Sequence, residues 1–362
     1  ACGGGSADDD DDDDDDAIVG DAATDDAAVD AALPDASPDA PVAPDCSGRA
    51  ALPVAINTLH GFTTAEDFAF DDEGNYVAVD NGGDLVAITM AGDSHLLVPG
   101  VNGSAGTHYL PNGDLVVARG DDIARVTPEG AVTSVISGLQ YPNGMDVAVD
   151  GTIYVAEQNA GRLRAVNPDT GEFTVAGLGM SNPNGVAISP DGTQVFVGSF
   201  GAGVVYVVDL TNPVPETRSH VYGRPPGGED TPEPSSACAG LEEGATCSTD
   251  WGSGICELFG GALDCIGGFG DLLGGGGFGG GLDGLNVDAC GYVYVTEYIA
   301  GKVWRIDPER VVEEAAQLDS SWIPNMHWGS GVGGWDDHTL YVADRDQGRL
   351  FGLQLGVPGA HE

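Results

Sequence analysis

Four residues with oxygen-bearing side chains stand at matching places in a repeated phrase: Glu66, Asn143, Asn184 and Asp283. Each lies eight residues before a glycine that closes a tight turn, namely Gly74, Gly151, Gly192 and Gly291. The same step back from Gly113 gives Ala105, and an irregular sixth copy, IPNMHWG, places Asn325 there. Two carboxylates brought together repel and raise one another's pKa, and a divalent cation removes that cost. A donor set of carboxylate and amide oxygens, with no His or Cys, suits a hard cation. Ca²⁺ comes first, with Mg²⁺, Mn²⁺ or Zn²⁺ as alternatives. Glu66 and Asp283 together supply two negative charges, which match one such ion. The competing reading is local: Asn and Asp before Gly often only shape turns by bonding their own backbone. One such residue taken singly favours the turn; four in register favour an ion.

Two histidines, His108 and His327, fall in the second and sixth copies and are candidates for an acid/base partner near the same mouth. A lone histidine on a strand is more often a packing residue. The acids that end the second apolar stretch of several copies (Asp80, Glu157, Glu297 and Asp344) recur too regularly for one site. They read as hydrogen-bonding residues between repeats.

The elements that must position these residues follow from the phrase itself. After each aligned glycine comes an alternating apolar stretch: NYVAVD, DLVVARG, TIYVAE, TQVFVG and YVYVTE. Period-2 alternation with DG, NG and EG turns predicts short antiparallel strands. A third strand (AGRLRAVNP, AGKVWRIDP) and an outer one (VTSVISG) complete four per copy. A repeat of about forty residues built from four strands predicts a β-propeller, and six copies predict six blades. Equivalent positions then converge on one channel. The segment 53–62 is expected to supply the outer strand of blade six and so close the ring.

The expected organisation has three parts. Residues 1–46 hold 16 of the 58 acidic residues and no Lys or Arg, including the run Asp8 to Asp16. Such a stretch cannot bury enough apolar surface to fold and is expected to be a disordered tether. Residues 47–358 form the all-β propeller. Between blades four and five the glycine step is 99 residues, so residues 224–281 are an insertion, rich in Cys and Gly and poor in strand signals.

The start Ala-Cys-Gly-Gly-Gly-Ser resembles the end of a bacterial lipoprotein signal, with Cys2 as the lipidated residue. That predicts an exported protein of the cell envelope, an outer-membrane lipoprotein or a secreted one, touching membrane only through its N-terminal anchor. Six cysteines remain. Cys238, Cys247, Cys256 and Cys265 fall nine apart, without the short chelating pairs of a zinc site, and suggest two local disulfides of open connectivity. Cys46 and Cys290 pair by elimination. A formal net charge of −46, with Lys302 the only lysine, repels nucleic acid phosphates and anionic headgroups.

The order Glu66, Asn143, Asn184 and Asp283, inside EDFAFDDEG, PNGMDVAVDG, PNGVAISPDG and LDGLNVD, resembles the senescence-marker-protein, gluconolactonase and luciferin-regenerating-enzyme family. The resemblance covers about residues 55–355 without the insertion. It implies a six-bladed propeller with one divalent cation in the channel and hydrolysis of a lactone or related ester. It also implies that Asp283 is the general base or nucleophile. Blade one departs from the family's EGP-type start, and no counterpart is evident for the arginine that holds sugar lactones in some members; Gln140 and Tyr141 stand there. The alternative is a non-catalytic surface propeller whose cation is structural and whose loops bind a partner.

Overall fold

The computed structural model describes residues 44–201, 203–211 and 281–360, together with the backbone of four short strands at 219–221, 246–249, 252–259 and 262–267. The expected tether and Cys2 lie outside the described residues.

Six four-stranded antiparallel sheets are arranged as the blades of a propeller. Their innermost strands are Phe68–Phe70, Thr107–Tyr109, Pro142–Val147, Pro183–Ile188, Leu282–Val287 and Met326–Trp328. Most run into a tight turn whose glycine has positive φ, as at Gly74 (81°) and Gly151 (87°), a conformation open to a residue without Cβ. The second strands, such as Ile153–Glu157 and Val293–Glu297, are almost wholly buried. Outer strands carry polar and exposed residues, as in Ser94–Val98.

Core formation follows from the blade geometry. The buried side chains fall into six clusters, each built from two neighbouring blades, because a sheet with two apolar faces must cover each with the next sheet. Blades four and five, for example, share Phe196, Val205, Leu285 and Trp304. The ring closes as expected. Ile56–His60 pairs antiparallel with Arg349–Gln354, so the N-terminal segment is the outer strand of blade six. A disulfide between Cys46 and Cys290 (Cα–Cα 6.0 Å) ties that segment to blade five. Beside it, Arg49 pairs with the fully buried Asp288 at 3.0 Å and lies over the Tyr292 ring.

Two expectations are corrected by the fold. The insertion is not poor in strands: 246–249, 252–259 and 262–267 form a three-stranded antiparallel sheet of their own, with Cys256 opposite Cys265 in register. Gly and Cys spacing carries no clear alternation, so this pairing was invisible in the pattern. Cys238 lies outside the described residues, and the side chains of the other three likewise. The acids ending the second strands bond only in part between blades: Glu157 accepts the Gln140 N–H and Asp344 the Ser320 hydroxyl, both in segments joining one blade to the next, while their other partners are within the blade. Glu157 holds Arg162 and Arg164 of its own blade, Glu297 accepts from Trp304 Nε1 at 2.9 Å, and Asp344 holds Arg349. Asp80 caps its own turn through the Gly82 and Asp84 N–H groups. The partners of Glu157, Glu297 and Asp344 within the blade sit one strand away, where a sequence period cannot distinguish them from neighbours in the next blade.

Candidate active site

Asn143, Asn184 and Asp283 occupy the same place in three successive blades. Each is the second residue of its innermost strand, and each strand slips register there, between Pro142 and Met145, Pro183 and Val186, and Leu282 and Leu285. A bulge inserts an extra residue and re-aims the side chain next to it. The glycine after each one is fixed by the neighbouring blade. A methyl group on Gly144 would strike the Asn184 carbonyl; on Gly185, the Asp283 carbonyl; on Gly284, the Asn325 backbone and side chain. At Gly106 it would meet the Asn143 carbonyl at 2.8 Å, and the Gly106 N–H donates to that same oxygen. The residue–glycine pair thus forms a ring of close backbone contacts about the axis, and the residue before each glycine is drawn inward with it.

The outcome is a buried polar cluster. Asn143, Asn184 and Asp283 are 7%, 3% and 5% exposed. Asn184 hydrogen-bonds the Asp283 carboxyl, whose pKa is raised well above the ordinary carboxylate range by burial first and then by the charge of Glu66. Glu66 is raised by burial as well, partly offset by Arg345. These are the electrostatics of a site short of positive charge: two carboxylates and two amides, all able to offer oxygen donors, in a low-dielectric place. The residues present therefore fit a hard divalent cation.

Arg345 was missed from the sequence. It follows the acid that ends the second strand of blade six, in ADRDQ, and its guanidinium pairs with Glu66. It also bonds Tyr298, the residue at the matching place in blade five. Burial, then Glu66, push the Tyr298 phenol up to about 12. Position after the second strand was the available signal: the same step gives Phe200 in blade four, which packs on Tyr298 at 6.0 Å between ring centres. Trp322 stacks edge-on to Tyr298 at 5.4 Å and is half exposed, as is Tyr141, so this end of the channel has an aromatic rim. Tyr141 and Asn182, each just before the Pro-Asn pair, hold positive φ (59° and 43°), strain retained where the chain turns into the site.

The histidines lie elsewhere in the channel than expected. His108 and His327 line a cavity of about 390 Å³ whose walls, with Asp146, Asn286, Trp328 and Ser330, are the C-terminal parts of the innermost strands and the turns after them. Glu66, Asn143, Asn184 and Asp283 sit at the other, N-terminal ends of those strands and do not line it. Two or three residues of a strand separate the levels, a distance that motif position alone does not convert into a common mouth. Asp67 connects them: its carboxylate receives the Thr107 N–H at 2.7 Å and contacts His327 Nε2 at 2.9 Å.

No protein-family model and no curated protein matches the sequence. Solved structures do match in fold. A gluconolactonase from Xanthomonas campestris superposes with a TM-score of 0.57 at 16% identity, over 83% of this chain and 89% of that one. A luciferin-regenerating enzyme gives 0.56 at 14% identity, over 84% and 97%. A calcium-binding regucalcin from Agrobacterium tumefaciens gives 0.53 at 15%, over 83% and 95%. The fold of this chain is thus the propeller of the lactonase, luciferin-regenerating and regucalcin structures.

Proposed function

We propose that this propeller hydrolyses a lactone or a related ester, with one divalent cation, Ca²⁺ by preference, held by Glu66, Asn143, Asn184 and Asp283. The observation that carries this reading is half-buried Glu66 beside fully buried Asp283: burial raises both carboxyls, the charge of Glu66 raises Asp283 further and that of Asp67 raises Glu66, next to the buried amides of Asn143 and Asn184. When bound, the cation supplies Lewis-acid stabilisation of the negative charge that develops on an ester carbonyl. The chain does the rest. Asp283, at the innermost strand and hydrogen-bonded by Asn184, is the group placed to take a proton from the attacking water. Arg345 and Tyr298 stand at the rim as donors for the polar part of a substrate, and Trp322 and Tyr141 offer it an apolar face.

The fold neighbours named for lactone chemistry and for calcium binding support the same reading. The Cys46–Cys290 disulfide supports an oxidising, extracytoplasmic location. The half-exposed Trp322 and Tyr141 suit a macromolecular partner equally, and this favours a second reading, a binding propeller with a structural cation. A panel of sugar and aliphatic lactones decides between them. Ca²⁺-dependent turnover that Asp283→Asn abolishes, with the fold kept, supports the enzyme; no turnover on any member sinks it.

A further inference from the structure

We propose that Asp67, His108 and His327 form a second metal site in the channel, for a transition-metal ion of the Zn²⁺ class, with one coordination position open to the 390 Å³ cavity.

The three side chains come from three different blades. Asp67 immediately precedes the innermost strand of blade one, and His108 and His327 are the middle residues of those strands in blades two and six. One ligand atom from each lies within 4.8 Å of the other two, and Asp67 Oδ1 and His327 Nε2 are 2.9 Å apart. A tetrahedral ion with bonds of about 2.0 Å needs ligand atoms about 3.3 Å apart. The cluster brackets that separation, so side-chain rotations within the channel suffice. The histidine rings meet edge to face at 5.0 Å between centres, and Phe68 supports His327 from behind at 4.9 Å.

The chemistry selects the metal. Two imidazoles and one carboxylate suit Zn²⁺, Co²⁺ or Ni²⁺, whereas the all-oxygen set at the other level suits Ca²⁺. The Asp67 side chain is 1% exposed, and a buried carboxylate requires compensation. The second oxygen of Asp67 is already oriented by the Thr107 N–H. Asp146, itself fixed by the Ile188 N–H at 2.8 Å, lies 3.8 Å from His108 Nδ1, where it can orient that ring as outer carboxylates do for metal-bound histidines. His108 and His327 both line the cavity, so the fourth position faces open space that a water or a small donor ligand can fill. Such an ion would also pin blades six, one and two together at the seam of the ring.

The test is a Co²⁺ titration of chelator-stripped, full-length protein. Wild type is expected to develop the visible ligand-field band of nitrogen-ligated, four-coordinate Co²⁺. His108→Gln/His327→Gln is expected to lose that band and one tight equivalent. Glu66→Gln/Asp283→Asn is expected to keep both. No band in wild type, a band persisting in the histidine variant, or a band lost only in the carboxylate variant overturns the proposal. Should the histidine variant fail to fold, the wild type still decides. Zn²⁺ must shift the imidazole nitrogen resonances of His108 and His327, and unshifted resonances at one equivalent overturn it.

Discussion

Arg345 and Glu66, 279 residues apart in sequence, form an ion pair across the seam where blade six meets blade one. The pair places a fixed positive charge at the rim of a cluster whose own charge is negative. A cation entering that cluster must compete with the guanidinium for Glu66. Arg345→Met is therefore expected to tighten Ca²⁺ binding about tenfold, equivalent to about 1.4 kcal/mol. On a lactone with polar substituents the same variant should raise KM, since the rim donor is gone. Calorimetric titration and steady-state kinetics check the two effects, and unchanged affinity would show that the pair is irrelevant to the ion.

The carboxylates are predicted to be jointly necessary for the cation. Metal analysis of a Glu66→Gln/Asp283→Asn variant should show one Ca²⁺ fewer than wild type, with the thermal transition retained. Equal metal in both proteins would remove these residues from the site.

The raised pKa of Asp283 has a definite sign in stability. The folded metal-free protein holds this proton more tightly than the unfolded chain, whose Asp titrates near about 3.9. The contribution is fully present below that value and is lost as pH rises through the folded pKa. In chelator, the urea midpoint should therefore fall as pH rises from the unfolded value through the raised folded one, and Asp283→Asn should flatten the slope. Saturating Ca²⁺ should flatten it as well. A midpoint rising with pH in wild type, with no difference from the variant, would contradict the assignment.

Gly185 packs directly on the carbonyl of Asp283 in the next blade. Gly185→Ala should cost about 3 kcal/mol or more, because backbone on both sides must move. Gly113, by contrast, has positive φ (86°) and open space around it, so Gly113→Ala should cost only about 1 kcal/mol of backbone strain. Urea unfolding of the two variants separates inter-blade contact from turn strain; equal losses would mean that the ring of glycines is not a packing device.

Closing a loop of 244 residues, the Cys46–Cys290 bridge should stabilise the propeller by about 5 kcal/mol in the chain-entropy picture. Cys46→Ala/Cys290→Ala should accordingly lower the melting temperature under non-reducing conditions. A melting temperature indistinguishable from wild type would show that the outer strand Ile56–His60 and the Arg49–Asp288 pair close the ring unaided.

The sequence by itself determined the propeller, because its information is local and periodic. Alternating Val, Tyr and Phe make each strand, a glycine with positive φ ends most inner hairpins, and recurrence every forty residues or so counts the blades. The same register aligned Glu66, Asn143, Asn184 and Asp283, since equal phase within a repeat becomes equal height on the axis. Phase says nothing about what crosses from blade to blade. That Glu66 faces Arg345, that Asp67 rather than Glu66 meets His327, and that the histidines line the opposite end of the channel were decided by the tertiary structure. The reason is geometric. Adjacent residues on a strand point to different surroundings, and ring closure joins segments the chain keeps far apart. The chemistry between blades is therefore set by side-chain direction and by the twist that closes the ring, neither of which a linear period records.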